Sequence, residues 1–319
     1  MTEQTIAEIG EFELIGQIAH RVPLPPQVSV GPGDDAAVFL TNGSVVTSVD
    51  MMVEGVDFRR DWSSPQDVGH KAVAINLSDL EAMGATPVGM VIAFGAPADL
   101  PVSWVRGFMT GVNEEAEAAG VALLGGDLSS ARDITVTVTV FGGLDGRSPV
   151  LRSTARIGDQ VCLCGRLGWA SAGLEALGRG FRSPRAAVDA HRRPLIPHGQ
   201  GRIASLAGAT AMIDISDGLI ADLGHVAKAS GVGIQIDPNL LVVDEPVATV
   251  ARATNSDPLR HVLAGGEDYA LVATFPVGIV PEFWRVIGQV VAPDPEEGPA
   301  VSVHGRSLDD LDGWTHFRR

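Results

Sequence analysis

Six short motifs set acidic side chains beside glycines or at the ends of apolar runs: Gly33-Asp34-Asp35, Val49-Asp50, Leu77-Ser78-Asp79, Gly125-Gly126-Asp127, Asp214-Ile215-Ser216-Asp217-Gly218 and Gly265-Gly266-Glu267-Asp268. Loops and strand ends present side chains at such places. Two carboxylates ~4 Å apart repel by about 4 kcal/mol at an effective dielectric of roughly 20, so a converging set calls for cations. Hard oxygen ligands of this kind select magnesium, manganese or calcium. Taken singly, an aspartate beside glycine reads as a turn or cap residue. Asp217 can be read both ways, as the N-cap of a helix over 218–230 and as a metal ligand. Asp79 resists the simpler reading, because a carboxylate inside an amphipathic helix, flanked by Leu77 and Leu80, lies close to the core unless it faces a cleft.

Phosphate chemistry supplies a reason for the set, since a polyphosphate approaches this many carboxylates only when divalent ions bridge them. The sequence holds no G-x-x-x-x-G-K-[ST] loop and no H-R-D kinase segment. Gly31-Pro32-Gly33-Asp34-Asp35-Ala36 matches G-x-G-x-x-A, but an apparent strand follows it where a dinucleotide site requires a helix.

The elements that must position these residues follow from periodicity. Residues 11–21 have helical spacing and stop at Pro23, Pro25 and Pro26. Residues 36–40 and 44–49 read as a hairpin turned at Thr41-Asn42-Gly43, with Asp50 at a strand end. Ser64-Pro65 opens a helix that carries Asn76 and Asp79 one turn apart. Strands are expected at 87–94, 121–124 and 134–140, with a helix over 101–119. A turn-rich stretch from Gly142 to Pro149 places a boundary near 146, giving domains 1–146 and 147–319. In the second, strands at 160–164, 211–213, 232–236 and 269–275 alternate with helices at 168–177, 197–206 and 217–230, an α/β or α+β pattern.

Composition narrows the partners. The formal charge is −16, with two lysines against twenty-one arginines, which excludes a basic stripe for nucleic acid. No apolar run approaches the ~20 residues of a membrane span, and residues 1–10 carry no basic, apolar leader, so a cytoplasmic protein without a membrane partner is expected. Cys162 and Cys164 share one face of an apparent strand and read as small core residues.

The motifs, in this order, resemble the thiamine-monophosphate kinase family of the aminoimidazole ribonucleotide synthetase-like (PurM-like) superfamily. Further matching pieces are Gly10-Glu11-Phe12 with Leu14-Ile15, Asp50-Met51-Met52-Val53-Glu54-Gly55-Val56, the run from Lys71 to Leu80 with Ala82-Met83-Gly84-Ala85, and Gly266-Glu267-Asp268-Tyr269. The resemblance implies an α+β fold of two domains: an N-terminal ATP- and magnesium-binding domain whose mixed sheet pairs in a homodimer, and a C-terminal α/β-type domain completing the active-site cleft. It implies direct in-line transfer of the ATP γ-phosphate to thiamine monophosphate, the last step of thiamine diphosphate biosynthesis, assisted by several magnesium ions and without a covalent enzyme intermediate or catalytic side chain. By the same resemblance Asp35, Ser48, Asp50, Asp79, Asp127, Asp214 and Asp217 hold metal, with Asp34 supporting them, and Gly126, Asp127, Arg152 and Ser216 contact ATP. Asp57, Glu267 and Trp314 line the substrate pocket, and a carboxylate with an aromatic face suits a thiazolium cation.

Asp57 departs from the family pattern, standing where many relatives have histidine, and Val49 replaces a common threonine. Two alternatives accompany this reading: an ATP-dependent ligase or cyclase of the same superfamily that releases free phosphate, and a non-catalytic divalent-ion-binding relative.

Overall fold

The computed structural model describes residues 3–18, 24–32, 36–296 and 298–307. The chain divides into two compact units, Met1–Leu80 with Ala85–Arg147, and Glu81–Gly84 with Ser148–Arg319.

In the first unit the elements are α1 (Ile6–Ile9), α2 (Glu11–Ile18), β1 (Val28–Val30), β2 (Val38–Phe39), β3 (Val45–Val53), α3 (Pro65–Ala82), β4 (Thr86–Ala96), α4 (Val102–Ala119), β5 (Ala122–Ser130) and β6 (Thr135–Gly143). The last two residues of α3 fall in the second unit. Four strands form a sheet in the order β3-β6-β4-β5, antiparallel except for the parallel pair β4–β5. Strand alternation sends Met52, Met90, Ile92, Phe94, Val136, Val138 and Val140 to a buried face. Two helices cover that face: Phe94 of β4 meets Trp104 and Phe108 of α4, and Ser48 of β3 meets Asp79 of α3. Helices α3 and α4 touch through backbone, since a Cβ on Gly69 would stand 2.0 Å from the Phe108 carbonyl oxygen and one on Gly111 1.9 Å from that of Gln66.

The second unit contains β7 (Gln160–Cys164), α5 (Trp169–Gly178), α6 (Arg185–Arg192), α7 (Gln200–Ala207), β8 (Ala211–Asp214), α8 (Leu219–Ser230), β9 (Gly233–Ile236), α9 (Glu245–Thr254), α10 (Pro258–Ala264), β10 (Leu271–Phe275), β11 (Arg285–Val291) and β12 (Val301–Val303). Its sheet runs β12-β9-β11-β7-β10-β8, with β12–β9 parallel and the other neighbours antiparallel. Val161 and Leu163 pack with α8 and α10 on one side, and Cys162 and Cys164 with α7 and Trp284 on the other. Burial pushes the two thiols up to about 12 and about 11, in keeping with small core residues. Both units mix helices with largely antiparallel sheets, the α+β class.

Three local expectations change. Strand β2 pairs with β1 while β3 pairs with β6, so Thr41-Asn42-Gly43 joins two sheets and closes no hairpin. A nine-residue register with β6 outweighs the two-residue one that β2 offers. Asp50 lies within β3, three residues before its end. Strand β5 continues through Gly125-Gly126-Asp127, because parallel pairing to β4 brings the Ile92 carbonyl oxygen to 2.1 Å from a Cβ on Gly126, a contact only glycine permits.

Candidate metal and phosphate site

In the first unit, alternation along β3 points Ser48, Asp50 and Met52 toward α3 while Val49 and Met51 face outward, more than half exposed. Ser48 Oγ donates to Asp79 Oδ2 at 2.5 Å. Asn76, one turn earlier on α3 and fully buried, accepts from the Asp50 backbone N–H at 2.8 Å and donates through Nδ2 to the Ala72 carbonyl at 2.9 Å. Helical spacing therefore puts Asn76 on strand backbone and Asp79 on a strand side chain, and Asp79 keeps partial exposure. Ser48, Asp50 and Asp79 are thus gathered where β3 meets α3, with Asp79 partly exposed and not sunk in the core.

Asp127 is elsewhere on the same sheet. The register aligns it with Ala93, Thr137 and Met51, the row that leaves the sheet on the side of Val49 and Met51, and its Oδ2 accepts from Ser129 Oγ at 2.6 Å. Asp57 is occupied locally, its Oδ2 accepting from the Val53 N–H at 2.8 Å, which closes the turn after β3. Asp34, Asp35 and Trp314 lie outside the described residues.

In the second unit two glycine-bearing loops are stitched together by backbone. Ile215 N–H donates to the Ala270 carbonyl at 2.8 Å, Tyr269 N–H to that of Ile215 at 2.8 Å, and Glu267 N–H to that of Ser216 at 2.7 Å. A Cβ on Gly266 would stand 2.5 Å from the Ser216 carbonyl oxygen, and one on Gly218, at φ +121°, 2.8 Å from Ala264. Glu267 and Tyr269 both take positive φ, 65° and 50°, a cost borne where a loop is held by its surroundings. The result carries Asp214, buried at the end of β8, together with Ser216, Asp217 and Glu267 on one rigid double loop. His191 Nδ1 lies 3.2 Å from Glu267 Oε2. Arg152 is exposed, and its carbonyl accepts from Ser230 Oγ at 2.8 Å.

Asp217 does not cap α8. Gly218 is the N-cap residue and no side chain bonds there in the capping manner. The free N–H groups of Asp217 and Gly218 are accepted, each at 3.0 Å, by Oδ2 of buried Asp222. Burial raises the Asp222 carboxyl to about 7, and the nearby charges of Asp214 and Asp217 push in the same direction. Asp268 braces the other loop by accepting from the N–H groups of Gly168 and Ala170 at the start of α5; burial raises it to about 7 against those donors and Arg166. Asn76, His191, Asp222 and Asp268 are the supporting residues that sequence reasoning did not assign. Only Asn76 had a usable signal, its one-turn offset from Asp79.

Comparison with known proteins adds independent findings. The family described as AIR synthase related protein, N-terminal domain, matches residues 33–144. A thiamine-monophosphate kinase from Mycobacterium tuberculosis (strain ATCC 25618 / H37Rv) is 45% identical over 316 residues, covering 98% of this chain and 93% of its own. Among solved structures, thiamine-monophosphate kinase from Stenotrophomonas maltophilia K279a superposes with a TM-score of 0.81 at 29% identity, covering 93% of this chain and 97% of that one. AaThiL complexed with AMPPCP and TMP superposes with a TM-score of 0.77 at 31% identity, covering 99% of this chain and 100% of that one.

Proposed function

The chain belongs to the thiamine-monophosphate kinase family, and from that premise we propose how its own residues serve the transfer of the ATP γ-phosphate to thiamine monophosphate. It is a phosphotransferase that makes thiamine diphosphate and ADP. The observation that carries the assignment to this site is the Ser48–Asp50–Asp79 constellation, three hard oxygen side chains gathered on β3 and α3 with Asp50 fixed through its backbone by buried Asn76.

This donor set fits magnesium, which takes carboxylate oxygens and keeps several waters. Magnesium, when bound, neutralises phosphate charge and polarises the phosphoryl oxygens. Ser48, Asp50 and Asp79 would hold it in the first unit, and Asp214 and Asp217 in the second. Asp35 and Asp127 are added as ligands on the strength of the resemblance alone, Asp127 leaving the sheet on the side opposite Ser48 and Asp50. Gly126, Asp127, Arg152 and Ser216 are proposed to bind ATP, Arg152 through the planar fork that guanidinium offers phosphate.

Glu267, held by the loop bonds and lying 3.2 Å from His191 Nδ1, is proposed to face the thiazolium cation with Trp314, and Asp57 to adjoin the same substrate. The residues position and neutralise; no side chain is asked to form a bond to phosphorus, which agrees with direct transfer. Residues 1–146 are proposed as the ATP- and magnesium-binding domain and 147–319 as its complement.

We also propose a homodimer through the outer face of the first sheet. Val45, Val49 and Met51 stand 54–58% exposed along edge strand β3, an apolar row that a partner would cover. Among the described residues no helix is long and apolar enough to cross a membrane, and a cytoplasmic location is the proposed one.

Asp79→Asn tests the site. It should lower turnover by at least roughly 10²-fold, several kcal/mol of lost charge stabilisation, and weaken magnesium binding measured by calorimetry, with the fold retained. Unchanged magnesium affinity with full turnover would remove Asp79 from the ligand set.

A further inference from the structure

The start of α8 gathers three donors, two of which have no place in the phosphate-binding set. Asp217 precedes the helix, Asp222 lies in its first turn and His225 follows three residues later on the same face. One ligand atom from each of these three side chains lies within 4.8 Å of the others. A metal ~2.1 Å from each would hold them about 3 to 4 Å apart, so ligand atoms already within 4.8 Å of one another need draw together by only about an ångström. Asp222 is the fixed member: it is 3% exposed, and its Oδ2 is anchored by the N–H groups of Asp217 and Gly218. The site is therefore built around one immobile carboxylate with two more accessible ligands.

We propose that Asp217, Asp222 and His225 form a divalent-ion site whose imidazole selects a first-row transition ion over magnesium. Oxygen-only sets suit magnesium, whereas one imidazole among two carboxylates suits ions of the manganese-to-zinc series, with affinity rising along it. The proposal shares Asp217 with the ligand set above and otherwise stands apart from it, since neither Asp222 nor His225 belongs to that set.

The test uses cobalt(II) chloride as the probe, titrated into the full-length protein in the presence of millimolar magnesium, with visible absorption and calorimetry as readouts. Wild type should bind cobalt with a ligand-field band that magnesium does not displace. His225→Gln should weaken that binding by at least about tenfold and alter the band, while His304→Gln, a change at another exposed histidine, leaves both unchanged. Cobalt binding that is the same in His225→Gln as in wild type, or that is lost equally in His304→Gln, would overturn the proposal. A protein that binds cobalt through His225 yet makes no thiamine diphosphate would sink only the kinase assignment, and a kinase whose cobalt binding ignores His225 would sink only this site.

Discussion

Replacing Gly266 by alanine tests whether the double loop of the second unit is held as tightly as its backbone contacts indicate. The added Cβ would stand 2.5 Å from the Ser216 carbonyl oxygen, a backbone atom that cannot swing away like a side-chain tip. Carbon and oxygen do not approach closer than about 3.0 Å, so the loops must part by at least about 0.5 Å. That movement strains the adjacent Glu267 N–H bond to Ser216, which is 2.7 Å long. Overpacking of this kind costs about 1–3 kcal/mol, and misplacement of a positioned group by about an ångström costs on the order of 10²-fold in rate. Gly224→Ala is the control, since Gly224 lies inside α8 with nothing within 4 Å of the new Cβ, and it should be neutral or stabilising by up to about 1 kcal/mol. Thermal unfolding and turnover should fall for Gly266→Ala and hold for Gly224→Ala. Wild-type turnover and melting temperature in Gly266→Ala would refute the claim that this contact positions Asp217 and Glu267.

Asn76→Ala leaves the Asp50 N–H without its acceptor and should cost about 1–3 kcal/mol in urea unfolding, with magnesium affinity falling as well; unchanged affinity would separate the strand–helix tie from the site. Burial raises Asp268 to about 7, so across roughly pH 4 to 7 the folded chain holds a proton the unfolded chain has released, and stability falls as pH rises through that window. The slope from one such group is up to about 1.4 kcal/mol per pH unit, and urea midpoints for Asp268→Asn, measured without divalent ions, should show that share of the slope removed. Val49→Asp with Met51→Asp should convert the proposed dimer to monomer in light scattering with little loss of fold, because both side chains already face outward; an unchanged mass would discard this sheet face as the interface.

What the sequence showed about this site was mostly its local part. The helix carrying Asn76 and Asp79 and the buried thiols of β7 follow from period alone, whereas Ser48 entered through the family resemblance and its place beside Asp50 only through the length of β3. Gly125-Gly126-Asp127 misled because glycines usually mark turns; here they admit the neighbouring strand's backbone, a tertiary contact with no period of its own. The hairpin failed for the same reason, since Asn-Gly chemistry fixes a turn but not the partner of each strand. Asp222 was invisible as the anchor of the Asp217 and Gly218 N–H groups because it lies downstream, inside the helix it serves. His191 and Glu267 are brought together by packing between residues 76 positions apart, which no short-range pattern records.

The most direct test of the central claim is a coupled measurement of ADP, free phosphate and thiamine diphosphate, with ATP, magnesium and either thiamine monophosphate or thiamine as acceptor. ADP and thiamine diphosphate should appear in equal amounts from thiamine monophosphate alone, with no free phosphate. ADP matched by free phosphate would contradict that claim in favour of a ligase or hydrolase, and no ADP at all would leave a divalent-ion-binding protein without turnover.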